Sequence, residues 1–383
     1  MFGIFKYRRP LLVQPFYGYR NAETLFLPVR ALRGKEPAFN ESGALKSFRT
    51  MLGQYASHEV EGLEIDLEFE TGSGDVIRRN AVTNAEGFAH FDIYFDDKQD
   101  LPLQSGWDRA RLSWSAQGAT IPAGETEAFV LAPGREAGIG VISDIDDTIL
   151  ETGITGSARA ILRNWKRVMI QMPGQRSAVP GAHGFYEALG GQPIAYGRDG
   201  SPRAASVPQA RPRPVFYVSS SPWNLFAYLV AYKLDREMPL GPVMLRDWGF
   251  NRKTLGSKGH GSHKQDAIER ILATYPHLRF VLVGDDTQKD LVAFGAVAAK
   301  SPDRIAAIFI RQAAGEALSE KEISAKTGIE KAGVPLWMGE NYSTAHEFLS
   351  GAGLELDAPL KTLVETASEG TKPPVAEDAK AAR

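Results

Sequence analysis

Within the first 135 residues, apolar and polar positions alternate in short runs separated by turn-forming residues. Every second position from Leu63 to Phe69 is apolar, and the turn-forming sequence TGSGD follows at 71–75. Alternation with a period of two is typical of a β-strand that buries one face. Comparable runs at 88–95, 110–115 and 128–131 predict further strands. This part of the chain is therefore expected to form an all-β, sandwich-like domain.

The pattern changes after Pro133-Gly134. Short, almost wholly apolar runs now alternate with longer segments of helical period, which is typical of a parallel sheet covered by helices on both faces. The predicted strands are 138–143, 215–219, 243–246, 279–283 and 305–311. The predicted helices are 158–171, 223–237, 263–275 and 288–299.

These patterns predict an all-β domain at 1–135, an α/β domain at 136–350 and a C-terminal extension at 351–383. The extension is rich in Ala, Lys, Glu and Pro from about residue 368 and is expected to be disordered there. The segment 192–213, rich in Gly, Pro, Arg and Ser, is expected to be mobile.

Composition restricts the chemistry that the chain can perform. The sequence contains no cysteine, so disulfides, thiol catalysis and thiolate ligands are excluded, and any metal must be held by oxygen or imidazole. The formal net charge of -2 provides no basic field, and nucleic acid is not expected as a partner.

The N-terminal residues resemble neither a signal peptide nor a membrane span, which favours a cytoplasmic location. Aromatic residues and arginines are mixed between Phe2 and Tyr19. They could contact an anionic membrane surface, or they could form an arm that packs on the domain.

Three carboxylates follow the first apolar strand of the α/β part. Asp144, Asp146 and Asp147 lie at the carboxyl edge, where open parallel sheets bind their ligands. Like charges crowded there are costly unless a cation offsets them. An Asx turn that caps the next segment is the alternative for one such cluster.

A second acidic cluster, GDDTQKD at 284–290, follows another apolar strand. Two strand ends of a parallel sheet can face one another and supply the oxygen ligands that Mg²⁺ prefers. A helix cap at Asp286 or Thr287 would explain one carboxylate but not three. The two clusters together therefore predict a magnesium site.

Two further elements lie between these clusters. One apolar strand ends in the hydroxyl residues 219–221, and a capping-box pattern of Ser262 and Gln265 places Lys264 in the first turn of a helix. A cation there opposes the helix dipole, which suggests an additional role. The alternative is an ordinary solvated lysine.

In this order the four elements resemble the haloacid-dehalogenase-like superfamily. The matching elements are D-x-D-x-T at 144–148, the strand-end Ser219, the helix-start Lys264 and G-D-D-x-x-x-D at 284–290. The combination DIDDTI, VSSSPWN, LRDWG and GDDTQKD is similar to the actin-patch-associated phosphatidate phosphatase family and its bacterial relatives. The resemblance covers residues 138–312, and a β-rich region before the catalytic domain agrees with it.

The resemblance implies a magnesium-dependent phosphatase that forms an aspartyl phosphate. Asp144 would be the nucleophile, and Asp146 would protonate the leaving oxygen and later activate water. Ser219 would donate a hydrogen bond to the phosphoryl group, and Lys264 would neutralise its charge. Because halide departure needs no general acid, Asp146 favours a phosphatase over a dehalogenase.

The resemblance also implies the residues that hold Mg²⁺ and substrate. Asp144, the backbone carbonyl of Asp146, and Asp285 would bind the metal, with Asp286 or Asp290 as a further ligand or as a hydrogen-bond partner of the ligands. The residues expected to bind substrate are Thr148, Ser220 and Arg246; for Arg246 a structural ion pair is the alternative.

Spacing indicates an open cleft. Only 45 residues separate Ser219 from Lys264, and a helix and a strand with their loops take about 30 of them, so no large cap fits there. An open cleft suits a bulky or membrane-embedded phosphomonoester, with phosphatidate as the preferred substrate. The alternatives are a phosphatase of phosphoproteins or soluble phosphomonoesters, and a non-catalytic adaptor.

Overall fold

The computed structural model describes residues 10–34, 58–72, 74–118, 121–145, 148–149, 179–194, 207–246, 260–287, 289–313, 315, 317–352 and 354. Several predictions lie outside these residues. They concern the helix at 158–171, the disorder expected from about residue 368, and the side chains of Asp146 and Asp147.

The N-terminal part forms one connected nine-stranded sheet. Its strands are β1 Leu11–Pro15, β2 Gly18–Arg20, β3 Thr24–Arg33, β4 His58–Glu59, β5 Glu64–Glu70, β6 Val76–Val82, β7 Phe88–Tyr94, β8 Gly106–Trp114 and β9 Gly124–Ala132. The order is β1-β3-β2-β9-β8-β5-β6, and β4 and β7 also pair with β3. All pairs are antiparallel except β2 with β9.

This sheet encloses an apolar core of its own. The alternation that predicted β5 buries Ile65, Leu67 and Phe69. It exposes Asp66 and half-buries Glu68 between them. Phe91 and Ile93 of β7 face the same core. The predicted all-β character is therefore present in the described residues, although β2 joins the strands into one sheet instead of two separate ones.

The second sheet is wholly parallel and six-stranded, with the order β12-β11-β10-β13-β14-β15. Its strands are β10 Ile139–Ser143, β11 Val215–Pro222, β12 Val243–Arg246, β13 Arg279–Asp285, β14 Ile305–Arg311 and β15 Leu336–Gly339. The strands predicted from apolar runs are all present. The short strand β15 was not predicted.

Helices cover both faces of this sheet, as expected. The helices are α1 Ala182–Gly190, α2 Phe226–Asp235, α3 His260–Thr274, α4 Asp290–Lys300, α5 Glu320–Lys331 and α6 Ala345–Gly351. Val141 packs with the cluster of α1, α2 and α6, while its neighbour Ile142 packs with the cluster of α3 and α4. The predicted capping box at Ser262 is wrong, because α3 begins at His260 and Ser262 lies inside the helix.

The two sheets pack directly against each other. Phe16 belongs to one apolar cluster of the parallel sheet, and Tyr19 belongs to the other. The Tyr275 hydroxyl donates to the Arg20 carbonyl at 3.2 Å, and the Asn21 amide donates to the Thr274 carbonyl at 2.8 Å. The aromatic arm therefore packs on the protein from Phe16 onward.

Part of the segment expected to be mobile is integrated into the fold. Ala210 and Arg211 are buried, and the backbone N–H of Ile194 donates to the Ala210 carbonyl at 2.9 Å. The prediction of mobility is wrong for residues 207–213, and residues 195–206 lie outside the described ranges. Among the helices of the described residues, none is long and apolar enough to cross a lipid bilayer.

Helix α2 buries a lysine in the apolar interior. The Lys233 side chain is 1% exposed, and its Nζ lies 3.9 Å from the centroid of the Tyr217 ring. Within the part of the chain that the structure describes, this Nζ has no hydrogen-bond partner. Burial lowers the pKa of Lys233 from its ordinary value of 10.5 to about 7, because the charged form is poorly solvated in an apolar interior.

Lys233→Met should change how stability depends on pH. Between pH 7 and 10.5 the unfolded wild type binds the Lys233 proton and the folded protein does not, so the unfolding free energy rises with pH by up to about 1.4 kcal/mol per unit. The variant should lack this rise between pH 7 and 9 in urea denaturation. The control is Lys300→Met, at an exposed lysine paired with Glu269, and parallel wild-type and Lys233→Met curves would contradict the prediction.

Candidate metal centre

Asp144 and Asp285 lie side by side because their strands are neighbours. β10 and β13 pair in register, Ser143 opposite Val283, and Asp144 N–H donates to the Val283 carbonyl at 2.8 Å. Asp290 begins helix α4 beside them. One carboxylate oxygen from each of Asp144, Asp285 and Asp290 lies within 4.8 Å of the other two, and all three residues are buried.

A glycine allows this close approach. A Cβ atom at Gly284 would lie 2.5 Å from Asp290 Oδ2 and 2.8 Å from a ring carbon of Phe294. Heavy atoms cannot approach so closely, so any other residue would displace the Asp290 carboxylate or the Phe294 ring. Gly284 is therefore a steric requirement for the position of the Asp290 carboxylate.

Lys264 is the cation of this cluster. Its Nζ lies 3.1 Å from Asp144 Oδ1 and also forms an ion pair with Asp290. The side chain is 2% exposed, so the prediction of a further role is consistent with its position and the interpretation as a solvated lysine is wrong. Burial acts to lower the pKa of Lys264, but the charges of Asp144, Asp290 and Asp285 outweigh it and raise that pKa.

Hydrogen bonds fix the orientation of the Asp285 carboxylate. Thr148 Oγ1 donates to Oδ2 at 2.8 Å, and the N–H and hydroxyl of Thr287 each donate to Oδ1 at 2.6 Å. Burial and the neighbouring charge of Asp290 raise the pKa of Asp285 to about 7, although Lys264 and the two threonines act to lower it. The protein therefore holds this carboxylate where its charge is unfavourable without a further cation.

The donor set fits Mg²⁺. Three buried carboxylates face one ammonium group, which leaves an excess of negative charge that a divalent cation would offset. Carboxylate oxygens are also the ligands that Mg²⁺ prefers. Asp144, Asp285 and Asp290 would hold the ion.

Asp286 lies apart from these three carboxylates. Its Oδ1 accepts a hydrogen bond from the Ala313 N–H at 2.8 Å, and its own N–H donates to the Arg311 carbonyl at 3.1 Å. Of the two residues between which the sequence could not decide, the structure brings Asp290 and not Asp286 into the cluster.

The residues predicted to bind substrate lie around this edge. Ser219 is buried in β11, next to β10, two residues beyond Tyr217, which pairs with Ser143. Its Oγ accepts the Ser221 N–H at 3.0 Å, and Ser220 is half-buried. The hydroxyl of Thr148, also predicted to bind substrate, donates instead to Asp285. The side chain of Arg246, at the end of β12, lies outside the described residues.

Three buried residues behind the site were missed by the sequence analysis. Ser143 Oγ donates to the Asp144 carbonyl at 2.5 Å and lies 2.6 Å from the Tyr186 hydroxyl. Tyr342 donates to the Thr148 carbonyl at 3.2 Å. Burial raises the pKa of both tyrosines, so their hydroxyls stay protonated. A lone tyrosine in a sequence has no local signal of such a contact.

Comparison with protein families identifies this region. Residues 139–312 match the family model described as the catalytic domain of phosphatidate phosphatase APP1. The predicted resemblance to the phosphatidate phosphatase family is confirmed over these residues. The match begins at the first strand of the parallel sheet and ends just after β14, so it contains all the residues of the cluster.

Two curated relatives match parts of the chain. Phosphatidate phosphatase APP1 of Saccharomyces cerevisiae is 35% identical over 174 residues, which are 45% of this chain and 26% of the yeast protein. An uncharacterised protein of Schizosaccharomyces pombe is 23% identical over 233 residues, 61% of this chain and 34% of that protein. The matched part of the chain thus spans only about a quarter to a third of the length of these relatives.

The similarity of this chain to solved structures is low. A β-glucuronidase of Bifidobacterium dentium, complexed with coumarin-3-O-glucuronide, superposes with a TM-score of 0.23 and 10% identity. The superposition covers 86% of this chain and 60% of that one. A TM-score this low does not establish a shared fold.

Mg²⁺ should stabilise the folded protein through this cluster. At a concentration 100-fold above its dissociation constant, a ligand that binds only the folded state contributes about 2.7 kcal/mol. Asp285→Asn should lose at least half of the Mg²⁺-induced rise in melting temperature. Asp286→Asn should keep most of the rise, because the Asp286 carboxylate binds the Ala313 N–H instead. Calorimetry with Mg²⁺ and with EDTA measures both, and an undiminished rise in Asp285→Asn would contradict the site.

Proposed function

We propose that this chain is a haloacid-dehalogenase-like, Mg²⁺-dependent phosphatase that hydrolyses phosphatidate to diacylglycerol through an aspartyl-phosphate intermediate. The observation that carries the proposal is the convergence of Asp144, Asp285, Asp290 and Lys264 at one edge of the parallel sheet. The match of residues 139–312 to a phosphatidate phosphatase catalytic domain supports it.

Asp144 has the surroundings that a carboxylate nucleophile needs. Lys264 Nζ lies 3.1 Å from Oδ1 and places a positive charge beside this buried residue. The carboxylate attacks phosphorus in line, and the P–O bond to the leaving group breaks. Mg²⁺, when bound, supplies positive charge that lets the carboxylate and the phosphoryl group approach each other.

Three other side chains complete the proposed reaction. Lys264 neutralises charge that the aspartyl phosphate acquires, and Ser219 donates its hydroxyl to a phosphoryl oxygen. Asp146 protonates the leaving oxygen and then accepts a proton from the water that hydrolyses the intermediate. The role of Asp146 follows from the D-x-D-x-T resemblance, because its side chain lies outside the described residues.

The position of Thr148 supports an indirect role in this reaction. Because its hydroxyl is engaged by Asp285, it orients a metal-binding carboxylate. Substrate contact is assigned instead to Ser219 and Ser220, at the open end of β11, and to Arg246, at the end of β12. The main-chain carbonyl of Asp146 remains a proposed ligand of Mg²⁺.

The described residues between Ser219 and Lys264 contain no cap domain over the cleft, which supports a bulky substrate. Between Ser219 and Lys264 the described residues form the end of β11, a 3₁₀ turn at Trp223–Leu225, α2, β12 and the start of α3. Only residues 247–259 of this interval lie outside the described ranges, too few for a cap domain. A phosphate at the surface of a membrane or micelle could therefore reach the site, which is consistent with peripheral contact.

Phosphatidate in detergent micelles should be hydrolysed in the presence of Mg²⁺, and EDTA should abolish the activity because the carboxylates then lack their cation. A panel of soluble phosphomonoesters and phosphopeptides serves as the comparison, with released phosphate as the measurement. Turnover of the soluble panel alone would sink the lipid assignment. A failure to hydrolyse any member would favour the adaptor.

Asp144→Asn should lower kcat by at least about 10³-fold, because an amide cannot attack phosphorus as a carboxylate does. Wild type quenched in acid after a pulse of ³²P-labelled substrate should carry a hydroxylamine-sensitive label, and the variant should carry none. Asp303→Asn, at an exposed position in the turn Pro302–Arg304, is the matched control. A variant that is folded by circular dichroism and as active as wild type would exclude Asp144 as the nucleophile.

A further inference from the structure

Two aromatic residues of the N-terminal part contact the turn Trp223–Leu225 and the start of α2, which follow the proposed phosphate-binding serines. Trp223 comes four residues after Ser219, and its ring meets Phe16 at 4.6 Å and Phe88 at 5.4 Å between centroids, both edge to face. Phe226, which begins α2, meets Phe16 at 4.6 Å. Edge-to-face aromatic pairs at these distances are favourable beyond the area that they bury.

The N-terminal sheet holds these two phenylalanines firmly. Phe16 N–H donates to the Pro28 carbonyl at 3.0 Å, and Phe88 pairs with Arg30 in the ladder between β3 and β7. The Arg30 guanidinium also lies 4.7 Å from the centroid of the Phe88 ring. Phe16 and Phe88 are 2% and 5% exposed, so both rings are enclosed by the contact.

The end of β11 departs from regular strand pairing. The register between β11 and β12 shifts between Ser219 and Pro222, so Ser220 and Ser221 lie in a bulge of β11. A bulge of this kind interrupts the hydrogen bonds that fix a strand. Within it, Ser221 N–H donates to Ser219 Oγ at 3.0 Å, so a shift of the bulge also reorients the Ser219 hydroxyl.

From these contacts we infer that Phe16 and Phe88 are positioning residues for the phosphate-binding bulge at 219–221, so that the N-terminal sheet contributes to the site. The inference rests on the proposed function. The aromatic rings act through Trp223 and do not touch the substrate. The carboxylates that would bind Mg²⁺ lie directly after β10, at the end of β13 and at the start of α4, and not on the element that carries Trp223, so loss of the rings should affect phosphate and spare the metal.

The test uses the full chain and two calorimetric titrations, one with Mg²⁺ and one with inorganic phosphate at saturating Mg²⁺. Phe16→Ala should weaken phosphate binding about tenfold, because small displacements of positioning groups have large effects, and should change Mg²⁺ affinity less than about twofold. Phe16→Leu keeps apolar volume and should weaken phosphate binding about threefold. In each variant, KM for phosphatidate should rise in parallel with the phosphate dissociation constant.

Phe95→Ala is the matched control. Phe95 stacks on Phe69 at 6.2 Å and packs against the core of the N-terminal sheet, so this variant loses an aromatic pair that lies elsewhere. It should bind phosphate as wild type does. If it weakens phosphate binding as strongly as Phe16→Ala, or if Phe16→Ala loses Mg²⁺ binding to the same extent, the effect is global and the inference is wrong.

The remaining outcomes separate this inference from the proposed function. Unchanged phosphate affinity in folded Phe16→Ala overturns the inference and leaves the phosphatase intact. If Phe16→Ala does not fold, as judged by circular dichroism, Phe16→Leu decides, and phosphate affinity equal to that of wild type overturns the inference. A wild type that neither binds phosphate nor hydrolyses any phosphomonoester overturns the proposed function and this inference together.

Discussion

Repulsion among the buried carboxylates of Asp144, Asp285 and Asp290 is the constraint on which the parallel-sheet half of the molecule depends. A buried charge without compensation is among the most costly features that a folded protein can contain. Lys264 offsets part of this cost, and the threonines at 148 and 287 orient one of the three groups. The arrangement persists because β10 and β13 are central strands whose positions are fixed by packing on both faces.

Much of this half could be predicted from sequence because its strands are continuous apolar runs that end in polar residues. The order of the acidic clusters, Ser219 and Lys264 then indicated one shared edge. Local sequence could not distinguish Asp286 from Asp290, since that choice depends on which carboxylate the turn directs toward Asp144. The contacts of Tyr186 and Tyr342 join residues 43 and 194 positions apart and leave no local pattern.

Two elements, β3 and α5, were not predicted from the sequence, and each has a physical explanation. β3 is buried along most of its length, so it lacks the alternation that indicates a half-exposed strand. Helix α5 is mostly polar and buries only Ile329, so its apolar stripe is too narrow to recognise, although Ser319 and Glu322 form a capping box at its start. The sequence also did not indicate the contacts between the two sheets. They come from aromatic residues that are scattered over the sequence and meet only after folding.

Gly284, the first residue of the G-D-D sequence, has a steric role that the two aspartates do not have. With a Cβ atom only 2.5 Å from Asp290 Oδ2, even alanine would displace the Asp290 carboxylate. The glycine thus leaves room for the Asp290 side chain, and the aspartates supply the charges that meet there. A substitution at 284 would keep every acid and still move one of them, so the acidic residues alone do not define this site.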